Sequence, residues 1–411
     1  MITEHLLVAS SLKSRSFFEK VREIVDFEKD LPPLAAKILG DIEDYYEKDQ
    51  SADSVNVRLL LDKVKATAPK PAIYDSVNSF VEGVAGEEVS PLNVLELIRT
   101  TKQQAVGQRL AVALANREPK AKVLELIEEY TRWDDPDALV TDEEETIEFS
   151  KVDVTKLLTE SLDKKNLIRL WPTALNDRID GGVRAGHHVI VFAQTEIGKT
   201  LFTINMVSMM ARDGHKILYL GNEDPAKDLM IRFVMRLSRL PKYKVEENPD
   251  AAVKAARANG LDNIIIRGLS PGSWPQVNRL VRQYKPAVTV LDQLRNITSR
   301  KEGSRAESLE DCANNARAVG KRHGCVMVSL TQAGNSANDK AVVEISDIDS
   351  SKVGIPAQGD LIIALGADSQ MKASGVRIIN LPKNKLSGKH EFFEAHFDTT
   401  TGVVRTPGNS N

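Results

Sequence analysis

Residues 193–200 read AQTEIGKT, and each residue type in that octapeptide suits a phosphate group. Backbone N–H groups of Ala193, Gln194, Thr195, Glu196 and Ile197, in a loop ahead of a helix, can surround phosphate oxygens, and Gly198 admits close backbone approach. Lys199 would reach the outer phosphates, and the Thr200 hydroxyl suits a magnesium ion carried by the nucleotide. The pattern is a P-loop with Ala193 in place of the first glycine. Its context agrees, because the apolar run HVIVFA precedes it and the helical run LFTINMVSMMAR follows. Chance occurrence is the bland alternative.

Hydrolysis of a triphosphate needs two further groups, a carboxylate for the metal shell and a base that orients water. Asp292 closes the apolar run AVTVLD, where it would face a nucleotide at the carboxyl edge of a parallel sheet. Its structural alternative is a helix cap. Glu223 closes KILYLGNE and is the candidate general base. Asp224 competes for that role, although its place before Pro225 suits the cap and first turn of the next helix.

These side chains need a scaffold. From about residue 170 onward, short β-branched runs alternate with helical stretches: HVIVFA (188–193), KILYL (216–220), NIIIRG (263–268), AVTVLD (287–292), CVMVSLT (325–331), DLIIAL (360–365) and VRIINL (376–381). That alternation predicts one α/β domain with a mostly parallel sheet covered by helices on both faces. Residues 1–130 read instead as a smaller all-α domain, with Leu92, Val94, Leu95, Leu97 and Ile98, then Val106, Leu110, Ala113 and Leu114, then Val123, Leu124, Leu126 and Ile127 at helical spacing. Between the two, residues 131–150 hold eight carboxylates and a proline, a composition that predicts an extended linker, with a short amphipathic helix at 153–163. The expected division is therefore 1–130, a linker over 131–165, and 166–411.

Composition excludes several classes. A chain of 411 residues with 42% hydrophobic content has no need of covalent staples, and its two cysteines, Cys312 and Cys325, lack zinc-site spacing. No run reaches the roughly 18 apolar residues of a membrane span, and the opening MITEHLLVASSLKSRS lacks a signal-peptide pattern, so the expected location is cytoplasmic and no membrane partner is expected. The net charge of −3 hides a division, with −12 over residues 1–150 and +9 over 151–411. Positive potential confined to the α/β half favours a nucleic-acid partner there.

The stretch WPTALNDRIDGGVRAGHHVIVFAQTEIGKT (171–200) resembles the DnaB-type hexameric replicative DNA helicases, RecA-like P-loop ATPases of bacteria and bacteriophages. YLGNEDPAKDLMIRFVMRLSRL (219–240) is similar to the segment carrying that family's catalytic Glu, and VTVLDQL (288–294) to its Walker B strand. VSLTQAG (328–334) resembles the strand ending in a γ-phosphate-sensing Gln, here Gln332. SDIDSSKVGIPAQGDLIIAL (346–365) resembles the DNA-contacting loop of the large-phage members. The resemblance covers roughly 165–400. It implies a RecA-like fold, ATP and Mg²⁺ as cofactors, a homo-hexameric ring, 5′→3′ translocation on single-stranded DNA, unwinding of a forked duplex, and a separate primase and loader; a phage-encoded member would act in the host cytoplasm.

Two departures bear on mechanism. Family members carry Lys-x-Arg late in the domain, the Arg acting on the neighbouring subunit's ATP, whereas LPKNKLSGK supplies Lys383 and Lys385. A lysine neutralises charge but lacks the bidentate fork, and RecA-type recombinases use a similar Lys-x-Lys pair. The DNA-loop segment also has Asp349 where bacterial members tend to have Arg, leaving contact to Ser350, Ser351 and Lys352. A second candidate DNA loop, NITSRKEGSRAES (296–308), carries Arg300, Lys301 and Arg305, cations that would track phosphates without reading sequence. The rival readings are a recombinase or recombination mediator forming an open filament, and an ATP-gated protein-assembly ATPase.

Overall fold

The computed structural model describes residues 4–49, 51–67, 70–87, 89–134, 149, 152–269, 272–298, 304–349 and 353–407. The chain separates into two units, Met1–Glu148 and Phe149–Asn411. Among the described residues, no helix is long and apolar enough to cross a membrane.

The first unit is helical: α1 (Glu4–Lys13), α2 (Arg15–Ile24), α3 (Phe27–Asp30), α4 (Pro33–Lys48), α5 (Val57–Thr67), α6 (Pro71–Ala85), α7 (Pro91–Ala115) and α8 (Lys120–Asp134). Ser14 starts α2 by accepting from the Phe17 N–H at 3.3 Å, the usual use of a short hydroxyl side chain at a helix start. Leu7, Phe17, Ile38, Ile42, Leu60, Val77 and Ile98 form its core. Helices α7 and α8 share a smaller cluster of Val106, Ala113 and Leu126, while Leu97, Leu114, Leu124 and Ile127 are exposed. Helix α8 runs through Asp134, so residues 131–134 are helical rather than extended as the linker reading expected. Residues 135–148 lie outside the described residues.

The second unit opens with α9 (Val154–Leu162), whose N-cap carboxylate, Asp153, accepts from the Lys156 N–H at 3.0 Å. The sheet follows: β1 (His188–Ala193), β2 (Ile217–Gly221), β3 (Ile264–Gly268), β4 (Val288–Asp292), β5 (Val326–Gln332), β6 (Leu361–Gly366), β7 (Val376–Asn384), β8 (Phe392–Asp398) and β9 (Val403–Arg405). Its order is β9-β8-β7-β6-β1-β5-β4-β2-β3. The six strands from β6 to β3 are parallel, and β7, β8 and β9 add an antiparallel extension. Helices include α10 (Lys199–Arg212), α11 (Ala226–Ser238), α12 (Lys242–Glu247), α13 (Pro249–Ala258), α14 (Trp274–Tyr284), α15 (Arg305–Arg322), α16 (Gly354–Gln358) and α17 (Ser369–Ala373).

Every residue of β1 is buried, as a central parallel strand requires. Because side chains alternate across a strand, Val189, Val191 and Ala193 join one core with Phe202, Met206 and Met210 of α10. Ile190 and Phe192 join the other, with Val277 and Val281 of α14 and Ala313 and Ala316 of α15. Helices therefore cover both faces, and the parallel strands point their carboxyl ends at a single edge.

Candidate nucleotide site

The loop between β1 and α10 is held in shape by three elements. Gly198, the residue before α10, has φ +108°, a left-handed conformation that side chains disfavour. A Cβ there would also sit 3.3 Å from the Phe397 ring of β8. Arg377 of β7 donates from Nε to the Ile197 carbonyl at 2.9 Å, and Ile197 itself is buried in the core. Gln194 donates to the Gly334 carbonyl at 3.3 Å, while Thr195 and Glu196 are exposed.

Lys199 opens α10, buried, with Nζ 3.3 Å from the Ala193 carbonyl. Burial pulls its ammonium below the usual lysine range; Glu223 and Asp292 oppose that shift and Arg295 adds to it. Two hydroxyls donate to Asp292 Oδ2, Thr200 Oγ1 at 3.3 Å and Tyr219. Burial pushes the Asp292 carboxyl up to about 6, opposed by the Tyr219 and Thr200 hydrogen bonds and reinforced by the charges of Glu223 and Asp224. Asp292 Oδ1 is buried with no hydrogen-bond partner. An orphaned carboxylate oxygen beside a threonine hydroxyl is the donor set a hard divalent cation takes, so these residues fit Mg²⁺.

Glu223 stands exposed just past β2 and accepts from the Gln293 side chain. Asp224, expected as a helix cap, caps nothing. Pro225 is the residue before α11, with no side-chain cap, and Asp224 pairs with Arg232, about two turns into the helix, at 2.9 Å. A carboxylate so engaged is less available to water than Glu223. Gln332 ends β5 level with Ala193, and its Oε1 accepts from Arg295 Nη1 at 2.6 Å.

Lys199, Thr200, Glu223, Asp292 and Gln332 thus gather at one end of the sheet. Lys383 and Lys385 do not join them. Lys383 is level with Ile362 near the start of β6, and its Nζ takes the carbonyls of Pro356 and of Ala357, the latter at 3.5 Å. Burial lowers its pKa, with the neighbouring Lys385 charge adding to the shift. Lys385 bonds by its backbone N–H to the Asp360 carbonyl at 2.9 Å and leaves its side chain exposed. At about 3.3 Å per residue the pair lies roughly 15–20 Å from its own P-loop.

Of the candidate DNA contacts, Arg300, Lys301, Ser350, Ser351 and Lys352 lie outside the described residues. Arg305 begins α15 and forms an ion pair with Asp349 at 2.8 Å, which ties the flanks of the two candidate loops together. The residues missed by sequence reading are Gln293, Arg295, Arg377 and Phe397. Only the short spacing of Gln293 and Arg295 from Asp292 pointed toward them.

The fold and site define an α/β unit with a mostly parallel sheet and a P-loop at its carboxyl edge, preceded by a helical unit. Residues 155–338 match the AAA domain family model. The chain is similar to the DnaB-like replicative helicases. It is 22% identical to the DnaB-like replicative helicase of Enterobacteria phage T4 over 242 residues, 53% of this chain, and spans half (50%) of that protein's length. Among solved structures, a DnaB-like replicative helicase described with its interactions with primase superposes with a TM-score of 0.61 at 17% identity, over 98% of both chains. The ATPase domain of G40P superposes with a TM-score of 0.55 at 18% identity, over 64% of this chain and 99% of that one.

Proposed function

We propose that this chain is an ATP-dependent replicative DNA helicase, a homo-hexameric ring that moves 5′→3′ on single-stranded DNA and opens a forked duplex. One observation carries the reading: both candidate DNA loops are rooted on the residues that would sense the outermost phosphate. Gln332 holds the Asp349 N–H with its backbone carbonyl at 3.1 Å, and the adjacent Ala333 pairs with Ile348 in an isolated bridge. Its side chain meets Arg295, at the root of the 296–308 loop. Any movement of Gln332 toward a phosphate therefore pulls on both loops at once.

The Lys199 ammonium and the loop N–H groups would bind the phosphates, while Thr200 and Asp292 would hold the Mg²⁺ of the bound nucleotide. When bound, that ion neutralises charge developing on the phosphate oxygens. Glu223, released from Gln293, accepts the proton of the attacking water. Lys383 and Lys385, remote from their own loop, would serve the ATP of a neighbouring subunit. The described cation Arg305 and the loop residues 300, 301 and 350–352 would follow the DNA backbone. Primase and a loader are the expected protein partners, in the host cytoplasm if the chain is phage-encoded.

A forked duplex with separate 5′ and 3′ tails tests the reading. ATP-dependent displacement requiring the 5′ tail is expected. An ATPase that ignores single-stranded DNA would overturn it in favour of a protein-assembly ATPase. The Lys-x-Lys segment favours a second reading, the recombinase filament, and electron microscopy with ATP and single-stranded DNA separates open filaments from closed rings.

A further inference from the structure

The segment LPKNKLSGK places lysines where the related pattern has an arginine, so the bidentate grip on the outermost phosphate is absent there. An arginine does stand at this chain's own site. Arg295 lies in the turn Leu294–Asn296 directly after β4, three residues past Asp292, with its guanidinium exposed. Among the described residues no carboxylate pairs with it, and its hydrogen bond is to Gln332 Oε1. Gln332 is level with Ala193 in the β1–β5 ladder, so this bond holds the guanidinium beside the mouth of the P-loop. Its charge acts on Lys199 with the same sign. Glu223 and Asp292 offset that repulsion at Lys199, but no described carboxylate pairs with Arg295 itself, so an anion arriving at the loop would draw its guanidinium.

We infer that Arg295 is the arginine of this nucleotide site acting in cis, its guanidinium moving from Gln332 to the outermost phosphate of the bound triphosphate. The inference rests on the ATPase reading above. In the chemical step the water oxygen bonds to the terminal phosphorus as the bridging O–P bond to the diphosphate breaks, and the water proton passes to Glu223. Arg295 exchanges no proton; it spreads two donors over oxygens that gain charge. Its departure also frees Gln332 Oε1, so phosphate arrival and loop movement become one event.

Mixed assemblies of the full chain test this, because a cis residue and a trans residue respond oppositely to a partner with a dead P-loop. Arg295→Ala is expected to lower ATPase kcat by about 100-fold or more with little change in KM. Arg295→Gln, which keeps a donor for Gln332 without the charge, should fall equally far. Adding Lys199→Ala subunits should rescue neither. ATPase within about threefold of wild type for Arg295→Gln, or recovery of either variant by Lys199→Ala subunits, would overturn the cis assignment while leaving the ATPase reading intact. Full ATPase activity in Lys199→Ala alone would instead overturn the ATPase reading.

Discussion

The two ends of the parallel sheet differ in what one chain can finish by itself. At the carboxyl end, the P-loop, Thr200, Asp292, Glu223 and Gln332 converge, and two buried side-chain oxygens there, Asp292 Oδ1 and Gln293 Oε1, have no hydrogen-bond partner. At the opposite end, Arg317 pairs with Asp360 at 3.0 Å, Asp360 accepts from the His188 N–H at 3.0 Å, and Lys383 takes helix-end carbonyls. That end is well bonded internally yet carries an exposed lysine with no phosphate in reach of its own chain. On the proposed reading, one end would bind the nucleotide and the other would be presented to a neighbour.

The comparison breaks first at Lys199. Lys199→Ala should reduce ATPase kcat by about 1,000-fold or more, measured by phosphate release, because it removes the ammonium placed at the loop. Next, Glu223→Gln should bind ATP normally and hydrolyse it about 100- to 1,000-fold more slowly. Asp224→Asn should cost only its surface ion pair with Arg232; if it is the inactive variant, the base has been misassigned. At the far end, Lys385→Ala should lose about 10- to 100-fold in ATPase rate as a pure assembly. That loss should be restored when Lys199→Ala subunits are mixed in; failure of the mixture would remove the argument for action on a neighbour.

The smallest effect concerns His188, whose ring meets Ser329 Oγ at 2.8 Å and the Gln358 carbonyl at 3.2 Å. Burial lowers its pKa to about 4, with the Gln358 bond and Asp360 opposing and Arg317 adding. The unfolded chain therefore binds a proton that the folded one refuses. The stability is whole above about pH 6.5 and is lost as pH falls toward 4, by up to about 3 kcal/mol. Denaturant unfolding at pH 7 and pH 4.5 should show this loss, and a His188→Gln variant should show less of it.

Legibility in the sequence followed locality. The loop 193–200 and the carboxylates at two strand ends were readable because a P-loop and a strand end are each set by a few adjacent residues. Seven strands stood out as apolar runs, but β8 and β9 did not: FFEAHFD alternates buried and exposed positions at the antiparallel border, so it lacks a continuous apolar signature. Asp224 misled because a carboxylate before a proline suits a cap, whereas here Arg232, about two helical turns on, competes for it. Arg377, Phe397 and Arg295 act through residues 180, 199 and 37 positions away in the chain, distances at which no local pattern survives.

Strand β7 joins the two ends. At its start Arg377 grips the P-loop through Ile197, and at its finish stand Lys383 and Asn384, with Lys385 just beyond. Its nine residues, eight steps of about 3.3 Å, make it a ruler roughly 26 Å long. Because side chains alternate along a strand, inserting or deleting one residue between Ile379 and Lys383 would turn the lysine to the other face while leaving the P-loop untouched. If the lysines act on a neighbouring subunit as proposed, the strand's length would set a phase between a subunit's own nucleotide and the one next door. Changing that length should uncouple neighbouring sites without disabling either.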